Sequence, residues 1–270
     1  MNRIACLVSV LAVALPAAAL AAELGPIEIA PQESGVQMTR FEKKTEALYN
    51  YSWNVKRDGG KVVFSAKGDN NKSGAKRIEW TENSVMELNG SSLRTLSWSK
   101  DSTGAEQESW KLTYDWAGGK VHYNYQDRAG GKKESKSVEL GSTAFSSDAM
   151  YFMLRGFPFE QGPGARIDGD FVLTNGQVLP AYIILRGEEK VTTPMGTFDT
   201  YKLEMKLKGA LGPIAPKMFM WFTKDKPHLF VRYDGKEAGI TSGKTVNVLL
   251  KFSPAEWIKP LPPPAPVATP

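Results

Sequence analysis

The stretch that decides the fold is Thr200-Tyr201-Lys202-Leu203-Glu204-Met205-Lys206-Leu207-Lys208. Apolar and charged residues alternate strictly here, and a period of two is the mark of a half-buried β-strand, because successive side chains point to opposite faces. Tyr201, Leu203, Met205 and Leu207 are expected to face inward, with Lys202, Glu204, Lys206 and Lys208 toward water. Just before it, Thr193-Pro194-Met195-Gly196 suits a type I turn, with proline in second place and glycine in fourth. Downstream, Lys217 to Thr223 and His228 to Tyr233 read as strands around Lys224-Asp225-Lys226-Pro227, with a last strand near Val246 to Phe252.

Upstream the same grammar continues. From Glu46 to Val138, β-branched and aromatic runs are separated by glycine-containing turns. The candidate strands are Leu48 to Val55, Lys61 to Ala66, Arg77 to Trp80, Val85 to Leu88, Leu93 to Ser99, Trp110 to Trp116 and Val121 to Tyr125. The turns are Asp58-Gly59-Gly60, Gly68 to Gly74, Asn89-Gly90, Asp101 to Gly104 and Gly118-Gly119. Strands resume at Phe171, turn at Asn175-Gly176 with Thr174 opposite Gln177 and Leu173 opposite Val178, and continue through Tyr182 to Arg186. The chain is therefore read as mainly β, an antiparallel meander.

A two-residue loop at Gly118-Gly119 places Trp116 opposite Val121, Tyr114 opposite Tyr123, Leu112 opposite Tyr125, and Asp115 opposite His122. An Asp–His pair can orient a general base. No motif places a serine or cysteine nucleophile beside it, so it reads as a surface pair and the chain as non-enzymatic.

One helix is expected, near 147–155. Ser146 or Ser147 can cap it, Asp148 lies in its first turn, and Gly156 and Pro158 end it. Ala149, Met150, Tyr151, Phe152, Met153 and Leu154 make it apolar on nearly every side, so it is expected to be buried or to lie against a curved sheet and line a cavity.

The first 21 residues have the form of a cleavable secretory signal peptide. Arg3 precedes an uncharged run from Ile4 to Leu15, which is short of the ~20 residues a membrane span needs. Pro16 breaks the run, and Ala19-Leu20-Ala21 places the cut before Ala22. Cys6, the single cysteine, lies too early in the run for lipidation, so the processed chain is expected to lack disulfides. Residues 22–37 read as an irregular leader, 38–255 as one β domain, and 256–270 as a Pro-rich disordered tail.

Hydrophobic residues make up 41% and charged residues 23% of the chain, against a net charge of +5. Lysines interleave with acids and no arginine cluster forms, which excludes a nucleic-acid groove and leaves peripheral attraction to an anionic membrane at most. Two histidines far apart, without ligand spacing, exclude a protein zinc set. No metal or cofactor is expected.

The stretch Gly187-Glu188-Glu189-Lys190-Val191-Thr192-Thr193-Pro194-Met195-Gly196-Thr197-Phe198-Asp199-Thr200, followed by Trp221-Phe222-Thr223-Lys224-Asp225, resembles a bacterial periplasmic envelope family of unknown function. The likeness covers about residues 144–251, with Phe230 where that family's pattern has proline. It implies one large curved antiparallel sheet, a half-barrel wrapped around one or two helices, similar to that of the periplasmic lipoprotein carriers and their outer-membrane receptors, which hold acyl chains between sheet and helix. From that fold, the expected function is a soluble periplasmic binder of a lipid or other hydrophobic ligand. The candidate wall residues are Met150, Tyr151, Met153, Leu154, Tyr201, Leu203, Met205, Phe219 and Trp221. The alternative is an envelope assembly factor that binds another protein through strand edges or the Pro-rich tail. Gly196 and Pro194 are explained by their turn, and Asp199 by capping it.

Overall fold

A computed structural model describes residues 23–90, 92–147, 149–236 and 243–262. The signal-peptide reading, Asp148 and the last eight residues of the tail lie outside the described residues. Within them fifteen strands form a single sheet, antiparallel except for one pair. In chain order the first eight are β1 (Gln32–Phe41), β2 (Ala47–Asp58), β3 (Lys61–Asp69), β4 (Ile78–Asn89), β5 (Ser92–Gly104), β6 (Glu108–Asp115), β7 (Lys120–Asp127) and β8 (Lys133–Glu139). The second half of the chain forms β9 (Ala144–Ser146), helix α1 (Met150–Met153), β10 (Arg166–Val172), β11 (Val178–Thr193), β12 (Gly196–Leu207), β13 (Met218–Thr223), β14 (Phe230–Gly235) and β15 (Thr245–Ser253).

The spatial order runs from β8 back to β1, then β15 down to β9. The two halves of the chain are each a meander, joined where β1 pairs with β15. The sheet curls until its two ends approach, but no ladder closes it. Side chains fill the seam: Trp98, Leu112, Tyr114, Val121 and Tyr123 from one end pack with Ala144 and Val172 from the other. Thr95 Oγ1 and Ser146 Oγ share a hydrogen bond of 2.5 Å across it. The main core lies inside the curl, around α1, with Val55, Val62, Met86, Leu154, Ile183 and Leu203 at 0% exposure. Full burial of such a side chain contributes about 1.5–3 kcal/mol.

Several expectations are corrected. The segment 22–37 is not an irregular leader throughout, because β1 begins at Gln32. Its buried positions are Glu33, Gly35, Gln37 and Thr39, so this strand turns its polar face inward and the usual hydrophobic signal is inverted. The helix is shorter than 147–155. Only Met150–Met153 is α-helical, and Leu154–Gly156 tightens into a 3-10 turn. Among the described residues no side chain caps it, Ser146 being held by Thr95. Asp101 to Gly104 is not a turn but the end of β5. Glu204 does not face water. It is 4% exposed and accepts a 2.5 Å bond from Arg186 Nε.

Both glycine hairpins shift register. Asp115 pairs with Lys120, Tyr114 with Val121 and Leu112 with Tyr123, so the loop is Trp116-Ala117-Gly118-Gly119. Asp115 Oδ1 accepts the Gly118 amide at 2.8 Å, and this side-chain acceptor lengthens the turn. At the second hairpin Val172 pairs with Val178 and the Leu173 amide donates to the Gln177 carbonyl. Gly176, at φ +72°, takes the left-handed position of a three-residue loop. Thr193 does pair with Gly196 around Pro194-Met195, as expected. The tail is docked as far as Leu261, whose amide donates to the Thr197 carbonyl at 2.6 Å, while Trp257 and Ile258 pack on the core.

Candidate functional site

The curl of the sheet around α1 leaves a cavity of about 470 Å³, within the ~300–1,000 Å³ usual for ligand pockets. Because neighbouring strands alternate in direction, the β3–β4, β5–β6, β10–β11, β12–β13 and β14–β15 connections all lie at one end. Asn70, Ile78, Glu106, Thr174 and Lys236 line the cavity from that end and form its mouth. Its floor is mostly apolar, with Arg155 reaching it from the opposite end. Trp53 stands edge-on to Phe152 at 5.7 Å and 85°, Phe64 meets the same ring at 6.0 Å, and Phe252 lies 6.0 Å from Trp53. Tyr151 stacks on Phe230 at 3.9 Å.

Two glycine–tryptophan pairs shape the wall. Gly35 is opposite Trp53 and Gly68 opposite Trp80. A Cβ on Gly35 would fall 2.4 Å from the Trp53 ring, and one on Gly68 2.3 Å from the Trp80 ring. Each indole lies flat across the bare backbone of the next strand, which is what a glycine inside a strand permits.

Polar groups enter this wall at chosen points. Glu82 accepts a 2.6 Å bond from Trp98 Nε1. Burial pushes its carboxyl above the usual range, against the opposing pull of the Trp98 bond and of Lys100. Lys100 lies over the rings of Trp80 at 5.0 Å and Trp110 at 5.6 Å. Asn247 donates to Thr39 Oγ1 at 2.9 Å. Its Oδ1, with Trp53 Nε1 and Ser147 Oγ, is buried without a hydrogen-bond partner, and all three residues line the cavity. An unsatisfied buried polar atom costs about 1–3 kcal/mol. A polar atom of a bound molecule would relieve that cost.

Of the nine residues expected from the sequence, Met150, Tyr151 and Met205 line the cavity. Met153, Leu154 and Leu203 are in the sealed core. Tyr201 faces inward but stacks on Phe159 at 4.4 Å, away from the cavity. Phe219 and Trp221 are on the wrong face. Trp221 is opposite Lys202 and Phe219 opposite Glu204, so both share the lysine face, and Lys202 covers their rings at 4.9 and 5.1 Å. Trp221 Nε1 donates to Glu189 Oε1 at 2.5 Å. Asp199 pairs with Lys190 at 3.1 Å rather than capping a turn. The aromatic floor and the Gly–Trp pairs went unread. Gly35 inside β1 is the available signal, while Gly68, next to last in β3, reads as the start of a turn.

Asp115 and His122 do not meet. His122 is opposite Thr113 and its Nδ1 shares a 2.8 Å bond with Ser137 Oγ. Among the described residues no three His, Cys, Asp or Glu come together as a metal set.

The opposite end is closed. Segment 23–31 crosses it, with the Gly25 amide donating to the Gly156 carbonyl at 2.6 Å. Beneath it Arg155 pairs with Glu33 at 2.8 and 2.9 Å. A smaller cavity of about 340 Å³ there holds His228, whose ring lies 4.8 Å from Phe159. Burial lowers the His228 pKa.

Residues 38–244 match DUF3108, described as a protein of unknown function, and the chain belongs to that family. The match extends well N-terminal of the resemblance seen around residues 144–251. No curated protein matches it in sequence. Among solved structures it is similar to a β-barrel-like protein of domain of unknown function DUF1849 from Brucella abortus. That similarity has 6% identity, 82% coverage of this chain and 96% of the other, and a TM-score of 0.49. It is also similar to a DUF1089 family protein from Pseudomonas aeruginosa, at 9% identity, 71% and 91% coverage and a TM-score of 0.36.

Proposed function

We propose that this member of the DUF3108 family is a non-enzymatic envelope protein that holds an amphiphile, with its apolar chain on the cavity floor and its polar head at the mouth. The observation that carries this reading is the lining of the cavity, in which Trp53, Phe64, Phe152 and Phe252 make most of the floor while Asn70, Glu106 and Lys236 stand at the mouth among Leu48, Ile78 and Leu173. A purely aqueous ligand would leave the floor uncovered, whereas the exposed Glu106 and Lys236 at the mouth can meet a polar head. The likeness to the lipoprotein carriers, the signal peptide and a periplasmic location belong to the same proposal.

Pairing through strand edges is the weaker reading. The edge strand β8 reads Lys133-Glu134-Ser135-Lys136-Ser137-Val138-Glu139, and charge along an edge discourages strand addition.

The test is to unfold the purified protein in denaturant, refold it, expose it to envelope lipid extract, and identify retained molecules by native mass spectrometry. The expected result is one retained lipid per chain, lost in Met205→Trp, which fills the cavity. Wild-type protein that retains no lipid contradicts the proposal.

A further inference from the structure

The geometry points to the β12–β13 loop as a docking tip that seats the cavity mouth on an anionic lipid bilayer. Between Lys208 and Lys217 the chain reads Gly-Ala-Leu-Gly-Pro-Ile-Ala-Pro, eight residues without a charge or a polar side chain. Ile214 within it is 78% exposed, and among the described residues the other large hydrophobic left exposed is Val63 at 43%. A single exposed apolar residue is ordinary. This one stands in a wholly apolar loop bracketed by lysines, the pattern of a segment that inserts among headgroups while its flanks meet phosphates.

The loop is built to hold its shape. Gly209–Leu211 forms a 3-10 turn, and the Gly212 amide donates to the Gly209 carbonyl at 3.1 Å. A Cβ on Gly212 would lie 2.7 Å from the Leu207 carbonyl oxygen, so the chain folds back tightly on the strand end. Pro213 and Pro216 stiffen the remainder of the loop. Its position is equally defined. Met205 and Met218, the last cross-strand pair before the loop, both line the cavity, so Ile214 projects from the rim of the mouth.

Charge separates the two ends of the molecule. Among the described residues, the segments at the mouth end, 42–46, 70–77, 105–107, 128–132, 173–177, 208–217, 236 and 243–244, carry eleven Lys and Arg against three Glu. Those at the closed end, residues 23–31, 59–60, 90, 116–119, 140–143, 154–165, 194–195, 224–229 and 254–262, carry four Lys and Arg against five Asp and Glu. The modest net charge therefore hides a basic end, and that end is the one with the apolar tip. Anionic headgroups attract such an end over about a Debye length, ~8 Å at physiological salt. Docking in this orientation gives a chain leaving the bilayer a path into the cavity, although the docking itself does not depend on what the cavity holds.

The experiment uses protein purified as the cell processes it, with Cys6→Ser in any form that retains residue 6, and an Ile214→Cys label carrying an environment-sensitive dye. Phosphatidylcholine vesicles with and without phosphatidylglycerol are added, with a Val63→Cys label as the control. Binding to the anionic vesicles, with a blue shift at position 214 and none at 63, is expected. Lys217→Glu should weaken binding on the order of fivefold or more, and Ile214→Asp should abolish the inserted state without changing the circular dichroism spectrum. No binding to anionic vesicles, binding without a shift at 214, or equal binding by Ile214→Asp each overturns the inference.

Discussion

Arg155, just beyond the internal helix, makes a bidentate pair with Glu33 on β1, with their side chains 4% and 0% exposed. Arg155 Nη1 also donates to the Glu28 carbonyl at 3.0 Å, and Glu33 Oε1 accepts the Ala30 amide at 2.8 Å. One ion pair thus ties the helix, the first strand and the crossing segment together at the closed end. Removal of one partner leaves the other charge buried, which costs about 3–5 kcal/mol. Arg155→Met is expected to lose that much by urea unfolding. The double change Arg155→Met with Glu33→Leu is expected to recover most of it, whereas an equal loss in the double variant contradicts the role given to the pair.

His228 sits at φ +57°, with Nδ1 3.0 Å from the Thr223 carbonyl. A carbonyl only accepts, so Nδ1 carries the proton. Its folded pKa is lowered by burial, so below its unfolded value, about 6.5, the unfolded chain binds more protons. Stability is then fully present above that pH and falls as pH drops from there toward the lowered folded pKa. Asparagine tolerates the left-handed backbone. In His228→Asn the decline in melting temperature between pH 7 and 5.5 should flatten; an unchanged slope contradicts this assignment.

Gly68 has ordinary backbone angles but no room for a side chain, its Cβ position lying 2.3 Å from Trp80 and 2.9 Å from the Asn50 carbonyl. Gly68→Ala is expected to displace Trp80 into the mouth, destabilise by about 1–3 kcal/mol, and weaken binding of an apolar fluorescent probe. Unchanged probe affinity would show that Trp80 does not shape the cavity.

The seam between the sheet's ends is tested by two glycines with similar backbones. Gly176 (φ +72°) would put a Cβ 2.6 Å from Tyr123 Cβ, while Gly59 (φ +56°) has nothing within 4 Å. Gly59→Ala is expected to cost about 1 kcal/mol, the strain of a left-handed alanine alone. Gly176→Ala should cost clearly more in thermal unfolding; equal losses would mean that the ends do not pack.

Where hydrophobic and polar residues alternated conventionally, the fold was legible: the Tyr201 to Leu207 strand, the Asp58-Gly59-Gly60 turn and the apolar helix all came from local patterns. The failures have one physical root, which is that their determinants are distant or belong to side chains. Glu33 makes sense as a buried residue only beside Arg155, 122 positions later, so β1 resembled an irregular leader. The Gly118-Gly119 register depended on Asp115 capturing an amide. The face of Trp221 came from its partner Lys202, and reading those two strands against each other would have placed it outside. Three of the nine candidate wall residues were found on the cavity, Met205 because its strand alternates and Met150 and Tyr151 because the whole helix is apolar. The aromatic floor was not, because nothing local marks which of many inward residues border a gap.

The central claim is tested most directly by a crystal structure of protein refolded and reloaded with a fatty acid brominated along its chain. The account predicts anomalous bromine density inside the sheet, between Phe152 and Phe252, with the carboxylate toward Lys236. Bromine density absent from that cavity, or found only on the outer face, would contradict it.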